Sequence, residues 1–256
     1  MALKVFLNGT QGRLNKTLQE VAPDVDAIIC TGGTNPRENP NPGIAESDVI
    51  IDFSYAKATR SLLEHAAKHN KPIVIATTGH PLDERAALIE DFSPRIPIVW
   101  SGNYALGVNV FFYLVRQAAK LLGPEFHPEL VELHHARKKD SPGGTAERIA
   151  DIICKERQWD RHASSSYGRH GLIGARPDEE IGIHALRCGE VTGEHIVYFA
   201  GPHERIEIVQ RSQSKRSFAL GAFHAARWVL DKKPGHYIME DILGLNTMDA
   251  PKLEAL

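Results

Sequence analysis

The sequence predicts an α/β protein in two parts: an N-terminal domain built on a doubly wound parallel sheet, and a smaller α+β domain with a mixed sheet. Three observations predict it. Short apolar runs without alternation recur through the first 105 residues, as expected of strands buried on both faces. Helix-like stretches with short connections separate those runs, the mark of βαβ units. Beyond residue 180 the apolar residues change to period-two alternation, which suits a sheet with one covered face.

The elements follow in order. LKVFLNG (3–9) reads as a strand and KTLQEVA (16–22) as a helix; DAIIC (26–30) is a second strand. TGGTNPRENPNPG (31–43) is rich in Pro, Asn and Gly and reads as a loop. DVIIDFS (48–54), PIVIATTG (72–79) and IPIVWSGN (96–103) are strands, alternating with helices over 57–70 and 84–92. In the second half, 107–123 is a long helix, PELVELHHA (128–136) a strand, and PGGTAERIADIICKERQ (142–158) opens a helix at a glycine turn. IGIHALRCG, EHIVYFAG and RIEIVQRS supply the alternating strands, and SFALGAFHAARWVL and MEDILGL close the chain. The predicted division is a dinucleotide-binding domain from 1–105 and 216–256, and a substrate-binding domain from 106–215.

Composition excludes several functional classes. The chain has 256 residues, 42% hydrophobic and 24% charged, with a net charge of −2. That balance gives no global attraction to nucleic acid or anionic membrane. No apolar run approaches the roughly 18 residues of a membrane helix, and no signal-peptide pattern is recognisable. Cys30, Cys154 and Cys188 are odd in number and far apart, as in a reduced, cytoplasmic protein.

Chemistry is expected at two places. After the first strand, Gly9 and Gly12 in NGTQGRLN let backbone amides approach a pyrophosphate at a helix N-terminus. This G-x-x-G makes the first domain Rossmann-like, although Asn15 stands where a third small residue is expected; a bare strand–helix turn is the competing reading. No acid occurs at Cys30, Thr31 or Gly32, where one would bind the adenosine ribose, and Arg37 follows in the loop. Both features lean the cofactor toward NADPH over NADH. DFS (52–54), ATTG (76–79) and SGNY (101–104) also fall at strand C-termini, where such sheets bind ligands.

The second place is VELHHARKKDSPGGTAERIA (131–150). Thr145 lies at the start of a helix whose free amides suit a carboxylate or phosphate. His134 and His135, at a strand end, face opposite sides and should differ in role. Arg137, Lys138 and Lys139 follow; a lysine near one histidine can have its pKa lowered, and either could donate a proton at neutral pH. Two adjacent histidines without carboxylate or cysteine partners make a poor metal site, so no metal is expected. A solvated basic loop is the alternative.

These residues resemble the 4-hydroxy-tetrahydrodipicolinate reductase (dihydrodipicolinate reductase) family. Its signature E-x-H-H-x-x-K-x-D-x-P-x-G-T-A is present as ELHHARKKDSPGGTA, and its G-x-x-G-R-M-G turn as GTQGRLN. DFS, ATTGH, SGNYALGVN, IGIHALRCGEVTGEH and GPHERIEI also match in order. The resemblance implies that His134 is the acid–base residue and Lys138 the proton donor, with His135, Gly144 and Thr145 on the substrate. It implies that Gly9, Thr10, Gln11, Gly12, Arg13 and Leu14, with Ala76, Thr77, Thr78, Ser101, Gly102, Asn103 and Tyr104, line an NADPH or NADH site. It further implies a small dicarboxylate substrate, lysine and diaminopimelate biosynthesis, and a homotetramer assembled through the second domain's sheet. Asn15 replaces the family's glycine, and Gly143 stands where the family usually has serine. Two other functions compatible with the residues are a same-architecture reductase of another cyclic imine or dicarboxylate, and a non-catalytic nucleotide-binding sensor.

Overall fold

The computed structural model describes residues 2–25, 28–34 and 41–247. They divide into two compact units, one formed by the chain up to Leu106 and again from Lys215, the other by Gly107 to Ser214.

The first unit holds a six-stranded sheet of β1 (Leu3–Asn8), β2 (Ile28–Thr34), β3 (Val49–Asp52), β4 (Ile73–Ile75), β5 (Pro97–Trp100) and a late strand, Gly235–Tyr237. Every pairing is parallel, and the spatial order is Gly235–Tyr237, β5, β4, β3, β1, β2. Successive side chains point to opposite faces, so each strand feeds two cores. Leu3, Val5, Leu7, Val49, Ile51, Val74 and Val99 pack with α1 (Arg13–Val21) and with the later helix Arg216–Trp228. Phe6, Ile50, Ile73, Ile75, Ile98 and Trp100 pack on the other face. There they meet α2 (Asn41–Glu46), α3 (Ala56–Lys68) and α4 (Leu82–Phe92). Burial on both faces is what the unalternating runs required. The order also places a switch point between β1 and β3, where crossovers leave β1 in opposite directions and ligands bind beyond the strand ends.

Three details depart from the sequence reading. The run 31–43 is not one loop: residues 31–34 complete β2, and a helix begins at Asn41. The register of β2 on β1 shifts between Val5 and Phe6, so the strand absorbs an extra residue and continues through glycines that read as a turn. The strand Gly235–Tyr237, unforeseen, adds to β5 at the sheet edge.

The second unit takes up α5 (Leu106–Leu121) from Gly107 onward and contains β6 (His127–His134), α6 (Gly144–Arg157), β7 (Ser165–Ser166), β8 (Ile181–Arg187), β9 (Gly193–Ala200) and β10 (Arg205–Ser212). Its sheet runs β10-β9-β6-β8-β7 and is mixed: β6 pairs parallel with β8 and antiparallel with β9. Leu130, Ile183, Val197 and Phe199 share the buried face, and Ile149, Ala150 and Ile153 of α6 are buried with them. The opposite face carries Val131, Tyr198, Leu186 and Val209, the last two 49% and 39% exposed. In the first unit, α7 (Arg216–Trp228), β11 (Gly235–Tyr237) and α8 (Met239–Ile242) complete the chain's elements. A Cβ on Gly221 of α7 would lie 1.7 Å from the Tyr104 carbonyl oxygen, so only glycine permits that approach. Among the described residues, no helix is long and apolar enough to cross a membrane.

Candidate active site

In the first unit, the predicted cofactor residues follow the C-terminal ends of β1, β4 and β5. Gly9 has φ +85°, and a Cβ there would lie 2.9 Å from that of Ser54. The turn closes with the Gly12 amide donating to the Gly9 carbonyl at 2.9 Å. Thr10 and Gln11 form its tip, and Arg13 and Leu14 begin α1. No side chain caps α1, and its first turn holds no acid, so its leading amides and positive dipole end suit a pyrophosphate.

Asn15 is fully buried, and its Nδ2 donates to the carbonyls of Asn8 (2.7 Å), Gly9 (2.6 Å) and Phe53 (3.3 Å). The residue that departs from the glycine fingerprint therefore holds the turn to β1 and to the end of β3. Asp52, also fully buried, accepts from Asn8 Nδ2 (2.8 Å), Ser54 Oγ (2.5 Å), the Ser54 amide (3.2 Å) and Thr77 Oγ1 (2.7 Å). It ties together three neighbouring strand ends. Burial pushes its carboxyl above the ordinary range, and the hydrogen bonds offset this only in part.

The remaining predicted cofactor residues separate by exposure. Ala76 is partly buried, Thr77 is buried with its hydroxyl on Asp52, and Thr78 is exposed. Ser101 Oγ donates to the Asn103 carbonyl at 2.9 Å, and Gly102 lies beside Thr78. Tyr104 is 1% exposed and donates its hydroxyl toward the Ile75 and Val99 carbonyls. Its ring is a core anchor, which leaves only its backbone for a ligand. β2 ends at Thr34, not at Cys30. The position of a ribose-binding acid therefore moves into 35–40, which holds both Arg37 and Glu38 and lies outside the described residues. The missing-acid argument for NADPH thus rested on a strand end placed four residues too early.

In the second unit, His134 ends β6 and the chain then curls, with the Lys138 amide donating to the His135 carbonyl at 3.0 Å. That turn brings Lys138 back over the start of α6. A Cβ on Gly143 would lie 2.9 Å from Lys138 Cε, and 3.6 Å from His134 Cε1. Lys138 Nζ donates to both Asp140 oxygens, at 2.8 and 2.7 Å. His134 and His135 diverge as expected, His134 onto the α6-covered face; the Nδ1 of His135 is buried without a hydrogen-bond partner. Gly143 is the N-cap of α6, with Gly144 and Thr145 in its first turn and no side-chain cap. Arg137 pairs with Glu190 and takes no part in this cluster.

The sequence reading left Glu132, Arg187 and His195 out of the site. Glu132, fully buried, accepts from the Gly143 amide (3.0 Å) and Arg187 Nη2 (2.7 Å) on Oε1, and from His134 Nδ1 on Oε2. Burial alone would raise its carboxyl, but the bonds from His134, Arg187 and Gly143 together hold it at about 2. His195 lies opposite Glu132 on β9, its ring 5.4 Å from that of His134. Burial, then the charge of His134, push it down to about 4, so it is neutral at pH 7. Its ring nitrogens lack hydrogen-bond partners; Gln210 opposes the shift without making a bond of good geometry. One signal for Glu132 was present in the sequence: residues two apart on a strand share a face, which puts Glu132 beside His134. Glu132, His134 and His195 bring ligand-type atoms within 4.8 Å of one another, so the expectation that the histidines lack a carboxylate neighbour does not hold. Arg187 and the Gly143 amide occupy Oε1 of that carboxylate, and His134 Nδ1 meets Oε2, which ties the cluster into one hydrogen-bonded network.

Comparison with known proteins agrees with both halves. The family model described as "Dihydrodipicolinate reductase, N-terminus" matches residues 3–104, and that described as "Dihydrodipicolinate reductase, C-terminus" matches 107–243. A 4-hydroxy-tetrahydrodipicolinate reductase of Akkermansia muciniphila is 41% identical, covering 96% of this chain and all of its own length. One from Syntrophotalea carbinolica is 39% identical, covering 95% of this chain and 99% of its own. The fold is shared with a solved structure titled "Dipicolinate bound Dihydrodipicolinate reductase" from Paenisporosarcina sp. TG-14, with a TM-score of 0.74 at 18% identity, covering 93% of this chain and 98% of that one. A probable dehydrogenase from Thermotoga maritima shares it more loosely, with a TM-score of 0.58 at 14% identity and coverage of 94% and 92%. With both family models spanning nearly the whole sequence and relatives at this identity over nearly their full length, the chain belongs to the dihydrodipicolinate reductase family.

Proposed function

We propose that this chain reduces 4-hydroxy-tetrahydrodipicolinate to tetrahydrodipicolinate with NAD(P)H, releasing water, in lysine and diaminopimelate biosynthesis. The observation that carries the reading is the convergence of His134, Lys138 and the uncapped start of α6 on one turn. Gly9 to Leu14, with the free amides of α1, would hold the cofactor's pyrophosphate, and Ala76 to Thr78 and Ser101 to Tyr104 would line its remainder. When bound, the reduced nicotinamide supplies a hydride to the substrate ring. The amides of Gly144 and Thr145 would bind a substrate carboxylate, His135 would contact the substrate, and Lys138 and His134 would supply and hold the proton. Asp140 is the counter-ion that Lys138 exchanges for a dianionic substrate.

The finer features follow from the same reading. The cofactor is NADPH or NADH, and the lean to NADPH rests on Arg37 pairing with a 2′-phosphate. The assembly is a homotetramer formed through the open face of the second unit's sheet, where Leu186 and Val209 are exposed. The compartment is the cytoplasm.

The test is direct. Substrate generated freshly from aspartate semialdehyde and pyruvate is mixed with the protein and each reduced cofactor, and absorbance at the nicotinamide band is followed. Substrate-dependent oxidation is expected, inhibited by pyridine-2,6-dicarboxylate; cofactor binding with no oxidation overturns the proposal. The ratio of kcat/KM for the two cofactors decides preference, and sedimentation velocity decides subunit number.

A further inference from the structure

The two oxygens of Glu132 have unequal surroundings. Oε1 receives two donors that cannot reverse their polarity, the Gly143 amide at 3.0 Å and the Arg187 guanidinium at 2.7 Å. Oε2 meets His134 Nδ1, its one hydrogen-bond partner among the described residues. A carboxylate held ionised accepts and does not donate, so Nδ1 must carry the hydrogen and Nε2 is left as the basic nitrogen. On the Nε2 side stands Gly193, where a Cβ would lie 3.1 Å away, and the His134 and His195 rings meet in a T-shaped arrangement with centroids 5.4 Å apart.

We infer that Glu132 is a positioning residue for the reduction: it fixes His134 in the Nδ1–H tautomer, so that Nε2 alone exchanges a proton. Through the Gly143 amide, the same carboxylate joins the histidine's orientation to the start of α6, where the substrate carboxylate is assigned. The inference rests on the reading of His134 as the acid–base residue. His195, held neutral by its burial, adds no competing charge to the ring.

The geometry dictates what the isosteric variant does. In Glu132→Gln the amide oxygen must remain at the Oε1 position, because two donors point at it. The amide NH2 then points at His134 Nδ1 and donates to it, which forces the hydrogen onto Nε2. The fold is kept and the tautomer is inverted. A wrong tautomer in an intact acid–base site lowers kcat by on the order of 100- to 10,000-fold.

Long-range 15N–1H correlation spectra of the full chain read the tautomer without substrate, the His134 signals being identified by their loss in His134→Asn. Wild type should show Nδ1–H and Glu132→Gln should show Nε2–H. The variant's kcat should fall by the factor above while cofactor Kd stays within about twofold. Glu132→Asp, which keeps an acceptor, should retain the wild-type tautomer and more activity than Glu132→Gln. An unswitched tautomer in Glu132→Gln, or a switched one with kcat within about fivefold of wild type, overturns the inference. If Glu132→Gln does not fold, Glu132→Asp decides: a retained Nδ1–H signal supports the inference, and a lost one overturns it. A wild type that turns over no substrate but shows Nδ1–H sinks the functional reading, and leaves the tautomer assignment standing.

Discussion

Replacing Asn15 by aspartate changes one atom type and should cost more than deleting the side chain. In the native turn, Nδ2 donates at 2.7 and 2.6 Å to the Asn8 and Gly9 carbonyls and at 3.3 Å to Phe53, in a fully buried setting. Asn15→Ala removes two good hydrogen bonds, each contributing about 1 kcal/mol. The Gly12 amide still satisfies the Gly9 carbonyl, so a loss of about 2 kcal/mol is expected. Asn15→Asp instead aims a carboxyl oxygen at three carbonyl oxygens. An uncompensated buried charge costs about 3–5 kcal/mol, unless the introduced carboxyl protonates, which raises its folded pKa above its unfolded one. A raised pKa means the variant is least impaired below pH 4 and loses stability as pH rises through the folded value. The assay is urea unfolding of the three proteins at pH 4.5 and pH 8, followed by Trp fluorescence, alongside fluorescence titration with NADPH. The expected order at pH 8 is wild type, then Asn15→Ala, then Asn15→Asp, with the two variants closing on each other at low pH and both binding cofactor more weakly. Asn15→Asp as stable as Asn15→Ala at pH 8 would refute the claim that Nδ2 holds the turn.

Other predictions rest on separate contacts. Gly9→Ala places a Cβ 2.9 Å from Ser54 Cβ at φ +85°; it should cost about 2 kcal/mol and weaken NADPH binding in a titration, and unchanged affinity would argue against this turn as the pyrophosphate site. The Glu132 carboxyl, held at about 2 against an ordinary 4.5, contributes up to about 3 kcal/mol. That contribution is present above pH 4.5 and lost as pH falls toward 2, so acid unfolding should be shallower in Glu132→Gln than in wild type. Asp52 has the opposite sign: its raised carboxyl loses stabilising effect as pH rises through the folded value, and Asp52→Asn should flatten the unfolding midpoint's pH dependence above pH 4. Lys138→Ala and His134→Ala should lower kcat by on the order of 100-fold or more while leaving cofactor Kd unchanged; equal losses in both would contradict their assigned roles.

The period of the apolar pattern made the fold class legible. Val49 to Ile51 and Ile73 to Ile75 are apolar on both sides because both sheet faces are covered, and the alternation of EHIVYFAG records a sheet with one open face. Where pattern and composition conflicted, the reading failed. Gly32, Gly33 and Thr34 look like a turn yet finish β2, because pairing with Phe6, Leu7 and Asn8 of β1 supplies the hydrogen bonds their composition does not advertise. Gly235 to Tyr237 is too short to announce itself, and only the exposed edge of β5 makes it a strand.

At the site, the sequence by itself determined which reactive groups lie near one another along the chain: His134, Lys138, the glycine turn and the helix it opens. Local order carries that information because a turn of a few residues brings its own neighbours together. Tertiary structure alone decided which atoms those groups present. Arg187 and His195 reach His134 and Glu132 from β8 and β9, more than fifty positions along the chain, through strand register that no local pattern encodes. That register gives Glu132 two fixed donors on one oxygen and a histidine on the other, and so settles which nitrogen of His134 carries the hydrogen.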